Sequence, residues 1–104
     1  MSTGRVEYSV TGLDGTDEGA LDRRMAVREA HLAGAQQLAD NGELVSGGAI
    51  LDESGRMIGS SMHVSFADQA SFDAWFSAEP YVTGDVWREI TIRPMRIFRP
   101  APRS

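Results

Sequence analysis

Leu21-Asp22-Arg23-Arg24-Met25-Ala26-Val27-Arg28-Glu29-Ala30-His31-Leu32-Ala33-Gly34-Ala35-Gln36-Gln37-Leu38-Ala39-Asp40 is the stretch on which the fold turns. Leu21, Met25, Leu32 and Ala39 fall at spacings of four, seven and seven, so on a helix they share one side. The spacing predicts a helix over 21–40 with that stripe buried against something larger than the helix itself. At roughly 100° per residue, His31 stands about 80° from the middle of the stripe, near Val27, Ala35 and Leu38. That is the margin of the expected buried face, partly desolvated and within reach of a small molecule. His31 is therefore the first candidate for chemistry. The residues alone also describe, and more simply, a semi-buried helix histidine bonded to a backbone carbonyl.

On the N-terminal side, Val6, Tyr8 and Val10 alternate with Glu7, Ser9 and Thr11, the pattern of a half-buried strand. Gly12-Leu13-Asp14-Gly15-Thr16-Asp17 reads as a polar loop, with Thr16 or Asp17 available to cap the helix. On the C-terminal side, Asn41-Gly42 supplies left-handed stop residues. Glu43 to Leu51 reads as a second strand, and the pair Gly47-Gly48 within it implies a bulge or the close approach of another group. Asp52-Glu53-Ser54-Gly55-Arg56 is a hairpin turn. In the third strand Ile58, Ser60, Met62, Val64 and Phe66 share one face, and Gly59, Ser61, His63 and Ser65 the other. A short helix over 68–78 buries Phe72, Trp75 and Phe76 and stops at Pro80. A last strand over 87–98 offers Ile90, Ile92 and Ile97 to the core, with Pro94 marking an edge or a bulge. Residues 99–104 are expected to form a mobile tail.

The order β-α-β-β-α-β defines an α+β, ferredoxin-like arrangement. Two helices cover only one face of such a sheet, so the face carrying Ser61, His63 and Ser65 is left for water or for a second copy of the chain. A length of 104 residues suits a single domain with its core over about 5–98. No apolar run approaches the roughly 20 residues that span a bilayer, and Met1 to Arg5 has no signal-peptide core, so the cytoplasm is the expected location. The net charge of −5 argues against nucleic acid. The absence of cysteine removes disulfides, thiolate nucleophiles and cysteine metal sites. All ten basic residues are arginine, which excludes lysine Schiff-base chemistry. Two histidines, of which His63 stands among serines, are too few for a closed metal site, and no cofactor is expected.

Several segments together carry a family resemblance. They are Arg28-Glu29-Ala30-His31-Leu32-Ala33, Asn41-Gly42-Glu43-Leu44-Val45-Ser46-Gly47-Gly48, Ile58-Gly59-Ser60-Ser61, and Ala74-Trp75-Phe76-Ser77-Ala78-Glu79-Pro80-Tyr81-Val82. Gly84-Asp85-Val86-Trp87 and Ile90-Thr91-Ile92-Arg93-Pro94-Met95-Arg96 follow. Their order and spacing from Val6 to Phe98 resemble the YciI-like, YCII-related family. The resemblance implies a ferredoxin-like subunit paired into a dimeric α+β barrel, and a pocket built around a histidine and an acid. The family's histidine falls on His31 and its aspartate on Glu79, one methylene longer. Its Gly-Pro after the second strand falls on Gly47-Gly48.

A carboxylate bonded to one ring nitrogen fixes the tautomer of a histidine and leaves the other nitrogen to take a proton from substrate. His31 and Glu79 are thus the expected catalytic pair, with Arg24, Arg28, Ser46 and Tyr81 as the expected substrate-binding residues. Arg24 and Arg28 lie one helical turn apart and suit an anionic ligand, or ion pairs on a solvated face. The expected function is cofactor-independent proton transfer on a small organic acid, enol or lactone by elimination, isomerisation or hydrolysis. The alternative is a dimeric metabolite-binding module that turns nothing over.

Overall fold

A computed structural model of the chain describes residues 4–101, so the start of the chain and the last three residues of the expected tail lie outside the described residues. Its elements are β1 (Val6–Asp14), α1 (Ala20–Asp40), β2 (Leu44–Leu51), β3 (Met57–Phe66), α2 (Gln69–Ala78), α3 (Pro80–Thr83) and β4 (Trp87–Pro94). The four strands form one antiparallel sheet in the order β2-β3-β1-β4. This is the ferredoxin-like α+β fold.

The alternation read in β1 and β3 sets the two faces of the sheet. Val10 pairs with Met62 and Tyr8 with Val64, and these residues meet Leu38, Phe72, Tyr81, Val86 and Trp87 in one core beneath the helices. β1 runs four residues beyond Val10 and takes in Gly12, Leu13 and Asp14, which composition had assigned to a loop. The chain needs glycine at position 12 because the Trp87 ring lies on the strand there: a Cβ at Gly12 would stand 2.3 Å from that ring. Beyond Gly12 the same alternation brings Asp14 to the helix side.

Helix α1 is the larger correction. Its buried residues are Ala20, Arg24, His31 and Leu38, the expected spacing of four, seven and seven displaced by one residue. The expected stripe is turned outward, with Met25 50% and Leu32 46% exposed. One residue is about 100° of rotation, so His31 faces inward and is only 8% exposed. The helix starts at Gly19 without a side-chain cap. The Asp17 carboxylate accepts from the Gly19 N–H and pairs with Arg23 instead. At the other end Gly42, at φ +75°, makes the left-handed turn by itself.

Asp68 caps α2 by accepting from the Ser71 N–H. Pro80 not only ends that helix but opens the short α3 at its first position, where its missing N–H has no partner to lose. β4 stops at Pro94, and as an edge strand it leaves Ile90 and Ile92 more than a third exposed, contrary to their expected core role. Ile97 is buried, but outside β4.

What holds the segment after β4 is Glu7. Its backbone carbonyl accepts from the Met95 N–H, and its carboxylate from the Ile97 N–H and the Arg99 guanidinium. The bond from Arg99, helped by that from Ile97, lowers the Glu7 carboxyl to about 2. A carboxylate lowered in the folded state stabilises above its unfolded value and loses that contribution as pH falls toward the folded value. Between about pH 4.5 and pH 2 the 95–99 segment should therefore detach before the sheet melts. Glu7→Gln should produce the same release at neutral pH, at a cost of about 1–2 kcal/mol. Hydrogen exchange at the Ile97 amide reads this directly, and unchanged protection in Glu7→Gln would refute it.

Candidate functional site

Glu79 is placed by local chemistry. As the residue before a proline it is extended, at φ −61° and ψ 124°. It stands at once after α2 and before α3, and its side chain caps α3 by accepting from the Tyr81 N–H at 3.1 Å. The same oxygen, Oε1, meets His31 Nδ1 at 2.5 Å. A carboxylate oxygen only accepts, so Nδ1 carries the proton. The added methylene of Glu79 does not prevent the contact. Both side chains are withdrawn from water, with 10% and 3% of their surfaces accessible.

The Tyr81 ring stacks on the His31 ring at 3.9 Å and 13°. The Trp87 ring makes T-shaped contacts with both His31 and Tyr81. Burial raises the Tyr81 hydroxyl above its usual value, opposed by the nearby charges of Arg24 and Arg28. Tyr81 therefore presents a neutral O–H.

Arg24 belongs to this cluster in a way the sequence did not announce. One terminal nitrogen reaches both oxygens of Asp14, at 3.0 and 3.1 Å, and the other donates to Ser60 Oγ at 2.8 Å. Its guanidinium carbon lies 4.6 Å from the centre of the Tyr81 ring, within cation–π range. Only its Nε is left without a partner. Arg24 is thus neutralised by a buried acid and has no charge free for an anionic ligand. Asp14 and Ser60 were missed. The signal for Asp14 was the β1 alternation, had it been followed past Gly12.

Arg24, Arg28, His31 and Tyr81 line a cleft of about 270 Å³ between α1 and the β2–β3 hairpin. Leu32, Ala35, Leu44, Met57 and Met62 give it apolar walls, and Gly47 and Gly48 bring the β2 backbone to its surface. Ser46 does not join it. The side chain lies on the opposite face of the sheet, bonded to His63 at 3.1 Å. A bulge separates Leu44 from Ser46 in the pairing with β3, and this sends Ser46 away from the cleft. Among the described residues no group of three histidine, cysteine or acidic side chains is placed to hold a metal ion, and no helix is long and apolar enough to cross a membrane.

Residues 12–96 match the YCII-related domain, and the chain belongs to that family. It is 30% identical over 95 residues to the protein YciI of Escherichia coli O6:H1, a match that covers 86% of this chain and 95% of that one. It is 32% identical over 82 residues to an uncharacterized protein of Haemophilus influenzae, covering 73% of this chain and 84% of that one. Among solved structures it superposes on 5-chloro-2-hydroxyhydroquinone dehydrochlorinase (TftG) from Burkholderia phenoliruptrix AC1100, in complex with 2,5-dihydroxybenzoquinone. There the TM-score is 0.72 at 17% identity, over 86% of this chain and 93% of that one. At that identity the likeness is one of fold.

Proposed function

We propose that this protein is a cofactor-independent enzyme that moves a proton on a small organic molecule, with His31 as general base and Glu79 as the carboxylate that orients it. The observation that carries this reading is the 2.5 Å contact between His31 Nδ1 and Glu79 Oε1 beside an open, largely apolar cleft. With Nδ1 committed to Glu79, Nε2 holds the lone pair. It has no hydrogen-bond partner among the described residues. Nε2 takes the proton from a substrate C–H or O–H, and the positive charge that develops on the ring is met by the Glu79 carboxylate. The electron pair of the broken bond moves onto an adjacent carbonyl as an enolate or expels a leaving group. The ring then returns its proton to the product or to water. The neutral Tyr81 O–H is suited to donate to the substrate oxygen on which charge grows.

Elimination is the reaction favoured among those this pair suits, because the dehydrochlorinase that shares the fold has an activity of that type. The test is a spectrophotometric screen of halogenated or hydroxylated enols and hydroquinones with the purified chain. Turnover that His31→Asn abolishes supports the reading. Turnover that His31→Asn leaves intact refutes it.

We also propose that the protein works as a homodimer joined through the sheet face that the helices leave uncovered. On that face stand Ser9, Thr11 and Leu13 of β1, Ser61 and His63 of β3, and Ser46 and Ile50 of β2, mostly small residues suited to pack on a second sheet, with the charged Glu89 and Arg93 on its β4 edge. Light scattering at micromolar concentration should give twice the chain mass, since stable dimer interfaces commonly bury more than about 2,000 Å². A monomer of undiminished helix content would rule the arrangement out.

A further inference from the structure

The charges that line the cleft do not balance. Arg24 is bonded to Asp14, and both side chains are only 3% accessible, so this pair contributes no net charge to a ligand. Glu79 is committed to His31 and to the Tyr81 amide. Arg28 lies one turn from Arg24 and one turn before His31, lines the same cleft, and is half-buried. It forms no ion pair or hydrogen bond among the described residues, and its charge reaches the Tyr81 ring. One guanidinium without a counter-ion therefore stands at the rim of an apolar chamber, a turn away from an unpartnered imidazole nitrogen. A half-buried guanidinium is stabilised most by an anion that meets its planar fork.

We infer that the cleft selects ligands with a single negative charge, held by Arg28, and an apolar body lying against Leu32, Leu44, Met57 and Met62. The inference rests on the proton-transfer reading of His31 and narrows its substrate class. Neutral lactones fall outside it because Arg28 would stay unpaired. Diacids fall outside it because the second cation, Arg24, is already taken and Glu79 repels a further carboxylate. A cleft of about 270 Å³ has room for on the order of nine water-sized groups at about 30 Å³ each, the size of a substituted six-membered ring or a short branched acid. Arg24 instead acts as a positioning residue through its cation–π contact with the Tyr81 ring that stacks on His31.

The test uses the whole chain and three probes of one shape class: benzoate, its neutral counterpart benzamide, and the dianion phthalate. Binding is followed by calorimetry and by NMR signals of the His31 ring and the Arg28 side chain. Benzoate should bind at least tenfold tighter than benzamide, and phthalate no tighter than benzoate. Arg28→Gln should bring benzoate down to the affinity of benzamide, while Arg28→Lys retains part of the preference. Benzoate and benzamide binding alike while both move the His31 signals would overturn the charge assignment and leave the proton-transfer reading standing. A preference that persists in Arg28→Gln, or phthalate binding tenfold tighter than benzoate, would overturn the assignment to a single cation. A benzoate preference that moves Arg28 and no signal of His31 would overturn the pairing of anchor with base, and with it the reading beneath.

Discussion

Arg24→Met is expected to lower the stability of the fold by about 3–5 kcal/mol, because it leaves Asp14 as a buried charge without its partner. Asp14 and Arg24 are each almost sealed from water, so solvent cannot replace the lost guanidinium. The same substitution strips the donor from Ser60 Oγ and the cation from the face of Tyr81. At roughly 4–8 °C per kcal/mol for a domain of this size, the melting temperature should fall by tens of degrees. Removing both charges is a different matter. Replacing a buried ion pair by apolar groups of similar volume is often neutral or stabilising, so Asp14→Leu/Arg24→Met should recover most of the loss. Calorimetric melting of the single and double variants checks both statements. A melting temperature within about 5 °C of the wild type for Arg24→Met would mean that the pair does not support the site. The double variant should still leave the Tyr81 ring less firmly stacked on His31, read as a loss of the ring-current displacement of the His31 proton signals.

The second large effect concerns the proposed chemistry. On a substrate found by screening, His31→Asn should lower kcat by roughly 10²–10⁴, the usual contribution of a positioned general base. Because His31 is buried, bonded and stacked, not lodged at a margin, the substitution should also cost about 1–2 kcal/mol of stability. Activity must therefore be compared at a temperature where both proteins are folded. Glu79→Gln preserves size and a hydrogen-bonding oxygen, so it should keep the fold and the cap on α3 while reducing kcat more than it changes KM. Equal losses in kcat and in folded fraction would assign Glu79 a structural role alone.

The fold was legible because its evidence is periodic. Alternation in Val6 to Val10 and in Ile58 to Phe66, with stop signals at Asn41-Gly42 and Pro80, gives the element order without reference to the interior. The rotation of α1 was not legible. Its apolar residues form a stripe of the right spacing, yet the buried face is the adjacent one, carrying Arg24 and His31. Those two polar residues are satisfied by Asp14, Ser60 and Glu79, partners more than a turn of chain away, so hydrophobic patterning could not foresee their burial. The same logic explains the misread end of β1. Asp14 resembled a loop residue because its acid is matched by an arginine from another element. Ile90 and Ile92 looked like core because patterning cannot tell an edge strand from a central one. His31 and Glu79 were found together only through the family resemblance, since 48 residues separate them and neither is unusual in its own segment. Arg28 was found with Arg24, and only the three-dimensional pairing of Arg24 with Asp14 separates their roles.

The proposed chemistry depends most directly on the proton of His31. Long-range ¹H–¹⁵N NMR of the imidazole, recorded with the ring neutral, distinguishes a protonated nitrogen from a bare one in solution. Nδ1 should be protonated and Nε2 bare in the wild type, and that fixed assignment should be lost in Glu79→Ala. A proton on Nε2 in the wild type, or the same pattern in both proteins, would contradict it.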